Sequence, residues 1–133
     1  MSEQYEKVLE EKRHVSSRVS DLCRYIGFGL VAVVFVLLSS GSDYAKGVVS
    51  QHQNMLLFIG GTGCLSVIFD YLQFFAGYIT VNRALKNTER NYNYDDKSLS
   101  YKIRNWCFYF KQCTTIISAA ALMYLIIIST KGI

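Results

Sequence analysis

The sequence predicts an all-α integral membrane protein, a helical bundle with a cytoplasmic amphipathic N-terminal helix and three transmembrane helices. Three observations predict it. Apolar residues make up 51% of the 133-residue chain, and they are clumped rather than scattered. Proline is absent, so nothing blocks long uninterrupted helices. The stretch Met55–Val81, MLLFIGGTGCLSVIFDYLQFFAGYITV, holds a single charged side chain, Asp70. It exceeds the roughly 20 apolar residues needed to cross a bilayer. The length predicts one domain over residues 1–133.

Residues 2–21 are charged, with Tyr5, Val8, Lys12, Val15, Val19, Leu22 and Ile26 at 3-4-3-4 spacing. That spacing predicts an amphipathic helix with a narrow apolar seam. Ser2, Glu3 and Glu6 suit its N-terminus. Its acidic and basic residues balance, whereas a helix lying on lipid is normally more basic. The seam of Tyr5, Val8, Val15, Val19 and Leu22 is therefore expected to pack on a partner helix, from this chain or a second copy. No breaker separates it from the next segment.

The first span covers residues 22–40. Arg24 and Tyr25 stand at its start, where a basic anchor and an aromatic belong. Gly27 and Gly29 would let another helix approach closely there. Residues 41–54 read as a polar connection, and residues 55–81 form the second span. Residues 82–104 form a basic loop. Its first part can prolong the central helix, and NYNYDDKS within it signals a turn. The third span, residues 105–129, opens on Trp106, Phe108, Tyr109 and Phe110, an interfacial aromatic belt. Thr114, Ser118 and Ala121 give it a small, weakly polar face, as do Thr115 and Ala119. Basic residues concentrate in the N-terminal segment and the 82–104 loop, while 41–54 has only Lys46. The positive-inside rule then puts the N-terminus in the cytoplasm and the C-terminus outside.

Several function classes are disfavoured. The net charge of +4 arises in loops, and no basic stripe or RNA-binding aromatic motif suggests nucleic acid. Cys23, Cys64, Cys107 and Cys113 form no CxxC, and neither His14 nor His52 has zinc spacing. The cysteines read as apolar packing residues and the histidines as solvated. No metal or other cofactor is expected. The first twenty residues lack the apolar core of a signal peptide, and no lipidation motif is present.

On a helix, Gly63, Ser66, Asp70, Gln73 and Gly77 share one face. Asp70 is too costly to offer to lipid, so this polar stripe must meet protein or water. Lys111 is the basic side chain well inside another span and is the candidate ion-pair partner for Asp70. Two readings of Asp70 stand side by side: an acid facing a cavity that handles protons or ions, and a structural bond fixing helix packing. The Gly60-Gly61-Thr62-Gly63 cluster has no following Gly-Lys-Ser/Thr and reads as a packing point rather than a phosphate loop.

The layout of an amphipathic helix followed by three spans resembles bacterial diacylglycerol kinase, a small trimeric membrane enzyme. That family carries several acidic residues and an asparagine on and beside its second span for Mg-ATP. Here only Asp70-x-x-Gln73 stands near such a place, and Gly77 occupies the position of the following acid. No catalytic residue is assigned and no enzyme is expected. A second resemblance covers roughly residues 1–90. The charged amphipathic helix, the short-looped pair of spans and the continuation LSVIFDYLQFFAGYITVNRALKNTER resemble the SLATT membrane effectors of bacterial defence systems. The third span departs from that layout. The resemblance implies a bacterial inner-membrane protein that forms pores on activation, in antiphage defence.

A chain this small is not expected to supply Asp70, Gln73 and the glycines with a full set of partners. The expectation is a homo-oligomer with its central helices facing inward, acting as a pore or channel-like effector. The alternative is a non-conducting interaction protein that binds and regulates another membrane protein through the same stripe. A third reading is a holin-like lysis protein. The expected partners are the lipid bilayer, further copies of the chain, and a cytoplasmic or membrane protein.

Overall fold

The computed structural model describes residues 3–86 and 97–131. Three helices follow in order: α1 over Glu3–Ser39, α2 over Asp43–Leu85 and α3 over Leu99–Lys131. All three are long and apolar enough to cross a membrane. Three helices stand where four were expected. The amphipathic segment and the first span form one helix, because nothing helix-breaking lies between them. At 37 residues, α1 is about 55 Å long, well over the roughly 30 Å of a hydrocarbon core. The Tyr5 side chain and residues 91–96 of the expected turn lie outside the described residues.

The polar connection expected over residues 41–54 is corrected as well. Only residues 40–42 link α1 to α2. Ser42 caps α2 in an extended conformation, its side chain accepting from the Ala45 amide at 3.3 Å, with Asp43 in the first turn. Both features satisfy the orphan amides and positive dipole of a helix start. The helix is broken at His52, whose backbone is non-helical (φ −129°, ψ 28°). Chain geometry requires this break. Gly27 meets Gly63, and Val34 meets the site of Gly60, so the end of α1 falls about level with Met55. A straight α2 would carry Asp43 roughly 18 Å past that level. The four Cα steps from Ser39 to Asp43 reach about 14 Å at most, and part of that is spent in crossing from one helix to the other. The first turns of α2 must therefore fold back over the bundle, burying Ala45 and Val48.

The interior divides along its length. The half near the α1–α2 link is apolar, with Leu30, Val34, Val48, Leu56, Ile59 and Leu125 packed together. The other half is built from small and polar residues: Ser20, Ser66, Asp70, Thr80, Ser100, Lys111 and Thr115 are all buried. The large apolar side chains point outward instead, among them Phe28, Phe35, Leu57, Phe58, Ile68 and Ile116. Small residues at the helix contacts of this half, with large apolar side chains turned outward, are a pattern also used where helices pack in lipid.

Candidate functional site

The buried face of α1 is Ser20, Cys23, Gly27, Leu30 and Val34, at 3-4-3-4 spacing. It is a different face from the Val8–Val15–Leu22 seam. Among the described residues the seam stays mostly uncovered: Val8, Val15 and Leu22 are 64%, 54% and 58% exposed, while Val19 is half-buried. The small face wins because it lets backbones approach. A Cβ on Gly63 would lie 3.3 Å from the Gly27 carbonyl oxygen, and one on Gly27 would lie 3.3 Å from that of Gly63. The two glycines mark the crossing of α1 and α2. Gly60 is also tight, since a Cβ there would lie 3.2 Å from Val34 Cγ1, whereas one on Gly29 or Gly61 would meet nothing within 4 Å. Of the two α1 glycines expected to meet a neighbour, only Gly27 does.

One to two turns from this crossing lies the ionic cluster. Lys111 Nζ is 2.6 Å from Asp70 Oδ1, the partnership anticipated from sequence. Two further partners come from α1. Arg24 Nε donates to Asp70 Oδ2 at 2.7 Å, and Ser20 Oγ donates to Oδ1 at 3.0 Å. Lys111 Nζ also donates to Ser20 Oγ. Asp70 is 4% exposed and Lys111 0%. Asp21 lies 3.7 Å from Arg24, so two acids and two bases balance. Phe74 and Phe108 place ring faces by the cations, with Arg24 5.2 Å from the Phe74 centroid and Lys111 5.6 Å from that of Phe108. All three helices thus meet on one carboxylate.

The rest of the stripe is used in the same way. Ser66 Oγ and Thr115 Oγ1 share a hydrogen bond of 2.5 Å. Thr115 Oγ1 also donates to the Lys111 carbonyl at 2.7 Å. Ser118 Oγ donates across to the Ile59 carbonyl at 2.9 Å, and Thr80 Oγ1 donates to Ser100 Oγ at 3.1 Å. Gln73 and Gly77 are half-buried. A Cβ on Gly77 would lie 3.5 Å from the Cδ of Arg104. Gln73 Oε1 is buried without a hydrogen-bond partner among the described residues.

The expectation that one chain cannot satisfy Asp70, Gln73 and the glycines is therefore corrected for Asp70 and Gly63, while Gln73 Oε1 keeps no partner among the described residues. It counted Lys111 but left out α1, reading Arg24 as an interfacial anchor and Ser20 as part of a solvated helix. The signal that could have found them is the Ser20–Cys23–Gly27 spacing of small residues, which sets Arg24 one turn past Ser20 beside the glycine crossing. Both Asp70 oxygens are taken up by donors, so the carboxylate works here as a clasp between helices. Cys23 and Cys107 are buried and Cys64 and Cys113 exposed, all with free thiols. Among the described residues no group of His, Cys, Asp or Glu is placed to hold a metal ion.

The inter-helix hydroxyl pair offers a first test. Thr115→Val removes the partner of a buried serine while keeping its shape. It is expected to cost about 1 kcal/mol, read as a lower unfolding temperature in detergent, with Thr114→Val, at a half-buried residue bonded to its own helix, as the weaker comparison.

No protein-family model matches the chain, and no curated protein or solved structure matches it.

Proposed function

We propose that this is a small multi-pass protein of a bacterial inner membrane, N-terminus inside and C-terminus outside, that self-associates through α1. In the conformation described it works as a non-conducting interaction protein. The observation that supports this reading is the use of the polar stripe within the chain. With Asp70, Ser66 and Gly63 committed to α1 and α3, the stripe offers no lining for a lumen. What remains for partners is the charged first half of α1 with its exposed seam. Val8, Val15 and Leu22 recur at the seven-residue spacing of a coiled-coil position. Further copies of the chain, or a protein helix of like pattern, would cover them.

A pore-forming effector is the second reading, and one feature favours it. The polar cluster holds α1 through Ser20 and Arg24 alone, beside the glycine crossing. Assembly that draws α1 away would bare the stripe, including the unpartnered Gln73 Oε1. This is the arrangement of a closed state awaiting a trigger.

The test is induced expression with membrane potential as the readout, beside the oligomeric state of the solubilised protein. Wild type is expected to leave the potential unchanged and to sediment as a dimer or larger species. Val15→Glu is expected to shift it toward monomer. Depolarisation by wild type would move the conclusion to the pore. A monomer at every concentration would overturn self-association.

A further inference from the structure

An amphipathic cavity lies between the α1–α2 link and the end of α3. Its first part is a groove of about 390 Å³. Val33, Val36 and Leu37 of α1 wall it on one side, and Leu122 and Ile126 of α3 on the other. Its second part is a smaller chamber of about 180 Å³, lined by Asp43, Gln51 and His52 of α2 and by Ile128 of α3. The two adjoin, since Tyr44, Val48 and Ser129 line both. The break at His52 creates the chamber, because it folds Asp43–Gln51 back over the end of α3. His52, expected to be solvated, is half-buried there.

Two observations point to an occupant. The groove runs along the apolar part of the helices, and the chamber sits beyond it toward their polar ends. In the chamber the full charge is negative, from Asp43, beside neutral polar groups.

We propose that this cavity binds one phospholipid with an amine-bearing headgroup, of the phosphatidylethanolamine class. The proposal rests on the membrane reading above. An acyl chain lies in the groove, against Val33, Val36, Leu122 and Ile126. The headgroup ammonium pairs with Asp43, while the amide N–H of Gln51 and the hydroxyl of Tyr44 serve its phosphate oxygens. A headgroup with a phosphate and no amine would bring its charge against the Asp43 carboxylate.

The experiment is native mass spectrometry of the full-length protein, delipidated in detergent and titrated with dioleoyl-phosphatidylethanolamine or dioleoyl-phosphatidylglycerol. One ethanolamine lipid per chain is expected to be retained, at about fivefold higher affinity than the glycerol lipid, the size of one partly exposed ion pair. Asp43→Asn is expected to erase that preference while keeping a lipid in the groove. Leu122→Trp, which fills the groove, is expected to abolish retention of both. Equal binding of the two lipids by wild type, no retained lipid, or a preference unchanged by Asp43→Asn would overturn the proposal. Should Leu122→Trp fail to fold, the Asp43→Asn ratio still decides. Extraction of cell membranes with alkaline carbonate separates the two failures. A chain that leaves the membrane contradicts the membrane reading. A chain that stays and shows no lipid preference contradicts the lipid site alone.

Discussion

Asp70→Asn is expected to destabilise the solubilised protein by about 3–5 kcal/mol, more than the loss of either cation. Removing one partner of a buried ion pair leaves the other charge uncompensated, and that cost dominates. Lys111 has no exposure in the fold and no other carboxylate beside it in the cluster, so losing Asp70 strands it. Losing Lys111 is gentler, since Asp70 keeps Arg24 and Ser20. Losing Arg24 is gentler still, because its side chain is 34% exposed and Asp70 keeps Lys111. The order Asp70→Asn, Lys111→Met, Arg24→Leu is the expected result. A double variant, Asp70→Leu with Lys111→Leu, is expected to recover much of the loss, since apolar residues replace a buried pair at little net cost. Arg24 can then turn toward the polar end of the bundle. The buried thiols Cys23 and Cys107 supply the readout. Their reaction with a thiol dye on heating marks unfolding once Cys64 and Cys113 are replaced by alanine. Equal effects from all three single variants would mean the cluster does not have this geometry.

The second large effect is at the glycine crossing, and it comes with its own control. Gly27→Ala and Gly63→Ala place a methyl 3.3 Å from a backbone carbonyl oxygen of the facing helix. A backbone atom cannot rotate away, so the helices must separate. Overpacking of this kind costs about 1–3 kcal/mol, and leucine at either site more. Separation also lengthens the Arg24 and Ser20 bonds to Asp70, so the two effects couple. Gly29→Ala and Gly61→Ala meet nothing within 4 Å. There the substitution only favours the helical backbone, by up to about 1 kcal/mol. The expected outcome is opposite signs for the two pairs, measured as shifts in unfolding temperature. Four substitutions of the same sign would place the α1–α2 crossing elsewhere.

Much of this was legible in the sequence, and what was missed has a common cause. Hydropathy marks three apolar helices, and helical periodicity puts Gly63, Ser66 and Asp70 on one face. Lys111 follows as the basic side chain deep in another span. The packing face of α1 was missed because Val8, Val15, Val19 and Leu22 look like the face to bury. In water they would be. Where lipid is the solvent, large apolar side chains gain little by turning inward, and close backbone approach decides the contact. That criterion selects Ser20, Cys23, Gly27 and Leu30. The first turns of α2 were missed because residues 43–54 are polar, and polarity reads as loop. Ser42 and Asp43 are nonetheless a capping pair. The His52 break had no local signal at all. It fits the register of Val34 against Gly60, a tertiary fact that sets how far a three-residue link must reach.

The central claim is that the Gly63–Gly77 stripe is closed by α1 and α3 of its own chain. It is tested most directly by disulfide cross-linking in a variant freed of its four native cysteines. Ser66→Cys with Thr115→Cys places two thiols where the hydroxyls now share a hydrogen bond. Oxidation in native membranes is expected to join them within one chain, giving a monomer of altered mobility, while each single variant stays unlinked. Dimers formed through Ser66→Cys alone, or rapid labelling of that thiol by a water-soluble reagent, would contradict it and put the stripe at an interface between copies or on an open lumen.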